Sequence, residues 1–378
     1  MTISEQAVQA LRHVEGQPLP RVTLGAVTKD GSLHFSQTFG DDNSTDKQEK
    51  DAVHWIASCT KSYTIIAALQ CVEKGLLKLN EDISTVLPEW KDPKILVGFN
   101  DKDEAQHLLT HSSGMAYPFM HPLFAKYNEI NKRPLFKKTI RDSFPTFLLF
   151  APGERWMYSP GIEWAGLMVE AVNGGLKLGK YMQKYMFDPL SIKDATFHLE
   201  QREDLRARKV TFWERAGSDI QEVRDSFWPD PVEDDIGGGG LYTTIDEMLK
   251  FYRGLLQGKL LRPETMEEMT KPQLESRTGL DKPESYSLSD RNAIYNAIPN
   301  SVPCDYGLGG LLNNAAVPGS RAARSLTWSG YPNCYWWVDM ENGVAGVYLS
   351  QLQPTGDQKA VELLAEFEKS VYAAVSKI

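Results

Sequence analysis

Ser58-Cys59-Thr60-Lys61 sets a hydroxyl and an amine three residues apart, the spacing at which two side chains share one face of a helix. A helix is expected because Tyr63, Ile66, Ala67, Gln70 and Cys71 recur at three- and four-residue steps until Gly75 supplies a stop. Ser58 then sits at or near the first turn, where the positive end of the helix dipole favours an alkoxide developing on its oxygen. A lysine acts as a base only where burial lowers its pKa, and Trp55, Ile56, Ile65 and Ile66 would provide burial for Lys61. The chemistry implied is that of an activated serine nucleophile. The blander reading is an N-cap serine followed by a surface lysine. Ser44-Thr45-Asp46-Lys47 repeats the pattern inside the polar run Asp41 to Asp51, where no apolar face would desolvate the lysine, and reads as a solvated loop.

Two further segments could complete a site. Tyr158 lies in Pro152-Gly153-Glu154-Arg155-Trp156-Met157-Tyr158-Ser159-Pro160-Gly161, bracketed by turn formers, so it can project from a loop into a cleft. Thr327-Trp328-Ser329-Gly330-Tyr331 reads as a strand end whose backbone N–H could face Ser58.

With Leu108-Leu109-Thr110-His111-Ser112-Ser113-Gly114 and Gly237-Gly238-Gly239-Gly240-Leu241-Tyr242-Thr243-Thr244, these motifs give a chain that resembles the class C β-lactamase and penicillin-binding-protein superfamily over nearly its whole length. Within it, Ala68 to Leu76, His111 to Tyr117 and Ser325 to Asn333 are most similar to the fungal acyltransferase type that attaches the lovastatin side chain. The resemblance implies covalent acyl chemistry, with Ser58 as nucleophile and Lys61 and Tyr158 as shared acid and base. It also implies an oxyanion hole of the Ser58 and Tyr331 N–H groups, and substrate contacts at Trp328, Ser329, Gly330 and Tyr117. Natural-product metabolism, an acceptor alcohol or amine and an acyl-carrier donor follow as expectations, with no cofactor.

Two departures from the β-lactamase pattern narrow the activity. Tyr-x-Asn reads Tyr158-Ser159-Pro160, and Lys-Thr-Gly reads Trp328-Ser329-Gly330, so the amide and the cation expected to hold a lactam or peptide substrate are missing. An uncharged ester, thioester or amide fits better than an antibiotic. A β-lactamase or D-amino-acid peptidase remains the rival enzyme, and a silent binding protein of the same fold the rival from another class. Trp328 itself reads either as apolar contact to substrate or as core packing. Trp213, Phe227, Trp228, Trp336 and Trp337 admit the same two readings, a bulky polyketide-like ligand or core.

The remaining composition excludes several chemistries. Seven scattered histidines contain no His-Glu-x-x-His, and four cysteines show no Cys-x-x-Cys, so neither a metal site nor a redox pair is expected. His107 and His111 could share a helix face, but His111 reads better as a structural residue beside Gly114. No Lys-Ser or Lys-Thr follows Gly237 to Gly240, which therefore reads as close backbone packing beside the cleft, with Thr244 and Glu247 as a capping box. A net charge of −9 argues against nucleic-acid and anionic-membrane partners. No apolar run reaches the roughly 20 residues that cross a bilayer. Met1 to Gln6 shows no secretory pattern, so cytoplasmic residence is expected.

These residues need an α/β (α+β) scaffold. A helix is expected at Ser4 to Val14, a hairpin of Val22 to Thr28 with Leu33 to Phe39, and the nucleophile helix from Ser58 to Lys74. Helices are expected at Ile162 to Val172, Leu178 to Met186 and Asp246 to Leu256, and a polar loop over the site from Lys271 to Pro303. Strands return at Ser325 to Trp328, Tyr335 to Asp339 and Val344 to Leu349, and Lys359 to Val375 carries one apolar face suited to covering a sheet. The expected architecture is a β-lactamase-like antiparallel sheet flanked by helices, from residues 1–95 and 236–378, with an inserted mainly helical lobe at 96–235 and the active site between them.

Overall fold

The computed structural model describes residues 19–39, 51–96, 110–224 and 227–377. The helix expected near the N-terminus, the Ser44 repeat and His107 lie outside them. Seven strands form one antiparallel sheet: β1 (Val22–Thr28), β2 (His34–Phe39), β3 (Cys304–Tyr306), β4 (Leu311–Asn313), β5 (Leu326–Gly330), β6 (Cys334–Asp339) and β7 (Val344–Leu349). Their spatial order is β3-β4-β5-β6-β7-β1-β2, so β1 from early in the chain pairs with β7 from late in it. Thr23 faces Leu349 and Thr28 faces Val344 in that register.

The period-two alternation of β6 and β7 explains how one sheet carries two cores. Tyr335, Trp337, Val344 and Tyr348 point to the side covered by α5 (Gln358–Val375), where Leu364, Phe367 and Val371 pack. Trp336, Val338, Ala345 and Val347 point the other way, into the cluster holding α1 (Thr60–Glu73) and α3 (Ile245–Leu256). Trp336 and Trp337 are therefore core residues on opposite faces, each about 1% exposed or less.

Between α1 and α3 in the chain runs α2 (Gly161–Val172), which packs on α1. Leu178–Met182 is helical and continues into a wide turn at Gln183–Phe187. Two small sheets tie distant segments together. His54–Trp55 pairs with Tyr242–Thr243, which pairs with Ala195–Thr196. A hairpin of Phe212–Ala216 and Asp219–Val223 pairs in parallel with Leu352–Gln353, a strand set unforeseen within the expected helical lobe. The polar stretch after Lys271 also holds structure: α4 (Leu288–Tyr295) forms there, capped by the Ser287 hydroxyl accepting from the Asp290 N–H.

The expected capping box at α3 is half made. The Thr244 hydroxyl accepts from the Glu247 N–H, but the Glu247 carboxylate turns away to the Lys193 and Asp194 N–H groups and to Lys250. Among the described residues no helix is long and apolar enough to cross a membrane.

Candidate active site

Ser58 sits on a single 3-10 turn, Ala57–Cys59, between the short strand His54–Trp55 and α1. It thus precedes α1 rather than occupying its first turn. Ala57 takes φ +43°, a left-handed conformation that costs a non-glycine residue energy and turns the chain sharply at this point. From Ala52 to Cys71, Ser58 alone is not buried, so its hydroxyl reaches the cavity.

Lys61 is fully buried on α1, and its Nζ lies 3.4 Å from Ser58 Oγ and donates to the Tyr117 hydroxyl at 2.8 Å and to the Gly238 carbonyl at 2.6 Å. The glycine run makes that last bond. A Cβ on Gly238 would overlap the Glu163 side-chain carboxyl, so only glycine lets this carbonyl and that carboxylate share the space. The neighbouring carbonyls serve similarly, Gly237 accepting from Thr64 and Gly239 from the Trp55 indole. The run is the close backbone packing that its sequence suggested.

Tyr158 hangs from its loop with its hydroxyl 2.5 Å from Ser58 Oγ. Its ring is held between Tyr117, His111 and Trp328, at centroid separations of 4.8, 4.8 and 5.2 Å. His111 Nδ1 accepts from the Ser159 N–H at 3.1 Å, and the Met157 N–H donates to the His111 carbonyl. His111 is thus a brace for the tyrosine loop. Tyr117 is not a simple lining residue: its hydroxyl accepts from Lys61 and donates to Glu163 Oε1 in a short bond. Its sequence spacing from Lys61 and from Glu163, 56 and 46 residues, gave no sign of either contact.

A profile of the Beta-lactamase family matches residues 22–369. The chain belongs to the beta-lactamase family. It is 35% identical over 362 residues to the lovastatin esterase of Penicillium rubens, covering 87% of each chain. It is 31% identical over 385 residues to the monacolin J acid methylbutanoyltransferase of Aspergillus terreus, covering 95% of this chain and 93% of that one. A solved variant of the Aspergillus terreus simvastatin synthase superposes with a TM-score of 0.87 at 30% identity, over 98% of this chain and 97% of that one. This beta-lactamase-family protein is an enzyme of the serine hydrolase and acyltransferase kind, an acyl-enzyme catalyst of small molecules.

In this beta-lactamase-family enzyme a cavity of about 640 Å³ opens above Ser58. Trp55, Phe119, Phe136, Phe227, Trp228 and Tyr331 give it aromatic walls, and α4 contributes Ser289, Asp290, Ala293 and Ile294. Its lining includes two charged side chains, both acidic, Glu163 and Asp290. Of the five aromatic residues read two ways from sequence, Phe227 and Trp228 line the cavity; Trp213 packs beside the α5 core.

The strand motif divides its roles. Trp328 borders the cavity but is 2% exposed and packs on Tyr158, His111, Tyr306 and Trp156. The Ser329 hydroxyl donates to the Ala293 carbonyl, pinning α4 to β5. Gly330 sits where a Cβ would collide with the Ile56 carbonyl oxygen, which seats β5 against the turn that carries Ser58. Tyr331 follows at the cavity wall, its hydroxyl donating to Gln353.

Two buried histidines give the fold an acid limit. Burial, reinforced by the Lys61 charge, pushes the His111 imidazole well below its ordinary pKa, and burial holds His54 down at about 3. Both titrate near pH 6.5 in the unfolded chain. Below that pH the unfolded state binds protons that the folded state does not, so stability falls as pH falls, by up to about 1.4 kcal/mol per pH unit for each histidine. His198, raised by its bond to Asp235, is charged in both states at the lower end of this window and adds little slope there. Urea midpoints between pH 6.5 and 5, above the range of ordinary carboxylates, should decline steadily; a flat profile would contradict the buried neutral pair.

Proposed function

We propose that Ser58 is the nucleophile of an esterase or acyltransferase reaction, with Lys61 and Tyr158 as its shared base and acid. The observation that carries this reading is the position of Ser58 Oγ, open to an aromatic cavity with the Tyr158 hydroxyl at 2.5 Å and Lys61 Nζ at 3.4 Å. As Oγ attacks the substrate carbonyl, its proton passes to the Lys61/Tyr158 pair. The N–H groups of Ser58 and Tyr331 take the oxyanion charge. Tyr158 returns the proton to the leaving alcohol or thiol, leaving acyl-Ser58. An acceptor alcohol, amine or water then gives its proton to the same pair and attacks the acyl carbon; the bond to Ser58 Oγ breaks and Oγ takes the proton back. The cavity draws its lining from both expected lobes, with Ser58, Trp328 and Tyr331 from the sheet lobe and Tyr117, Tyr158 and Glu163 from the mainly helical one.

The substrate is a bulky, uncharged ester, thioester or amide of the natural-product kind. The aromatic walls favour it, and among the described residues the lining offers no lysine or arginine to a carboxylate. Relatives named for lovastatin and monacolin J point to the same class. Four buried free thiols suit a reducing, cytoplasmic setting.

An acyl-carrier donor is part of the same proposal. Leu135 and Phe136 line the cavity and are flanked by Lys132, Arg133, Lys137 and Lys138, in a chain whose net charge is −9. A basic stretch that adjoins the cavity wall in sequence would attract a phosphate-bearing thioester arm on an acidic carrier. The paired variant Lys132→Glu/Lys137→Glu should raise KM for a carrier-bound thioester on the order of tenfold, more at low salt, and leave a small neutral ester unchanged. Equal effects on both donors would remove the carrier from the proposal. The whole function is tested by a panel of aryl esters and thioesters, with and without acceptor alcohols, beside a chromogenic cephalosporin. Ester or thioester turnover with the cephalosporin intact is expected; turnover of the cephalosporin alone would overturn the reading.

A further inference from the structure

Glu163 stands on α2, 1% exposed, in the lining of the cavity. One carboxylate oxygen, Oε1, accepts from the Tyr117 hydroxyl, while Oε2 is buried without a hydrogen-bond partner. A buried carboxylate left half-satisfied costs stability, so a fold that keeps one beside its catalytic groups calls for a reason. Gly238 removes the side chain that would displace it, and the same residue's carbonyl holds Lys61. Carboxylate, phenol, amine and serine oxygen therefore stand in one hydrogen-bonded line, Glu163–Tyr117–Lys61–Ser58.

We infer that Glu163 is a positioning residue for the acyl-transfer reaction, acting through Tyr117 on Lys61. The inference rests on the proposal that Ser58 is the nucleophile. Burial first, and then the charge of Glu163, hold the Tyr117 phenol well above its ordinary pKa, so Tyr117 stays protonated and transmits the carboxylate's field without taking the proton. Glu163 gives a counter-charge to the positive charge that builds along this line as the Ser58 Oγ–H bond breaks and the Oγ–carbon bond forms, the proton passing to the Lys61/Tyr158 pair. The intervening phenol keeps the carboxylate and the amine from closing into a direct ion pair. The other titratable groups near Lys61 are the Tyr158 phenol, the Cys59 thiol and the His111 imidazole. Burial holds Cys59 and His111 neutral, one pushed up and the other down.

The test compares Glu163→Gln, Glu163→Asp, Tyr117→Phe and the Gln/Phe double variant on one small ester, with kcat, KM and the pH profile of kcat/KM measured for each. Glu163→Gln should lower kcat by about 10- to 100-fold with KM within about threefold. The acid limb of the profile should move to lower pH, because removing a buried negative charge from the line disfavours uptake of a proton along it. Glu163→Asp should restore part of the rate and return the limb toward wild type. The double variant should be no slower than the slower single one, because either change breaks the same line. An unmoved limb, or losses that multiply in the double variant, would overturn the inference and leave Glu163 a packing residue. Intact mass of the wild-type protein after exposure to the same ester separates the two levels. An adduct with an unmoved limb sinks this inference alone, whereas turnover with no adduct at Ser58 sinks the proposal beneath it.

Discussion

Ser58→Ala protein should fold, bind its ligand and lose turnover by about four to six orders of magnitude, the scale on which removing a serine nucleophile acts elsewhere. The hydroxyl removed is small and lies at a partly exposed position, so loss of its bonds to Tyr158 and Lys61 should shift stability by under about 1 kcal/mol. In the proposed mode of binding, ligand affinity comes from the cavity walls at Trp55, Phe136, Trp228 and their neighbours, which the change does not touch. The measurement pairs progress curves on an activated ester with quenching of tryptophan fluorescence by a non-reacting analogue. Unchanged binding with absent turnover is the expected pair of results. Unchanged turnover would show that another residue attacks the carbonyl.

Tyr158→Phe removes one oxygen and keeps the ring. Phenylalanine retains the packing on Tyr117, His111 and Trp328, so the loop and the fold should persist. What disappears is the hydroxyl 2.5 Å from Ser58 Oγ, leaving Lys61 Nζ at the longer 3.4 Å. Loss of a positioned acid–base group costs about 10²- to 10⁴-fold in rate. The loss should fall on kcat with KM nearly constant, and it should be largest for substrates with poor leaving groups, which most need the returned proton. A loss confined to KM would make Tyr158 a binding residue.

What could be read from sequence had local signals. The Ser58/Lys61 pair was legible because helical spacing joins residues three apart, and the Tyr158 loop because prolines and glycines bracket it. Strands β5 to β7 and helix α5 follow patterns of period two and 3.6 that survive without any neighbour. The Tyr117–Glu163 contact had no such signal, because it joins a loop to a helix across 46 residues. Helix α4 escaped notice because its surface is polar and Leu288 is 58% exposed; the only local clue was Ser287 three residues before Asp290. The adjacent Trp336 and Trp337 could not be sorted into ligand or core until the sheet placed them on opposite faces. Glu247 shows the limit of a motif: the spacing of a capping box was present, yet the carboxylate found two better donors at Lys193 and Asp194.

The most direct test is intact-mass spectrometry with peptide mapping, after the protein meets a slow ester or thioester in the absence of an acceptor. The proposed mechanism predicts one acyl group added, located on the peptide that contains Ser58, and lost again when an acceptor alcohol is supplied. Catalytic turnover with that peptide unmodified, or an acyl group mapped to a different side chain, would contradict it.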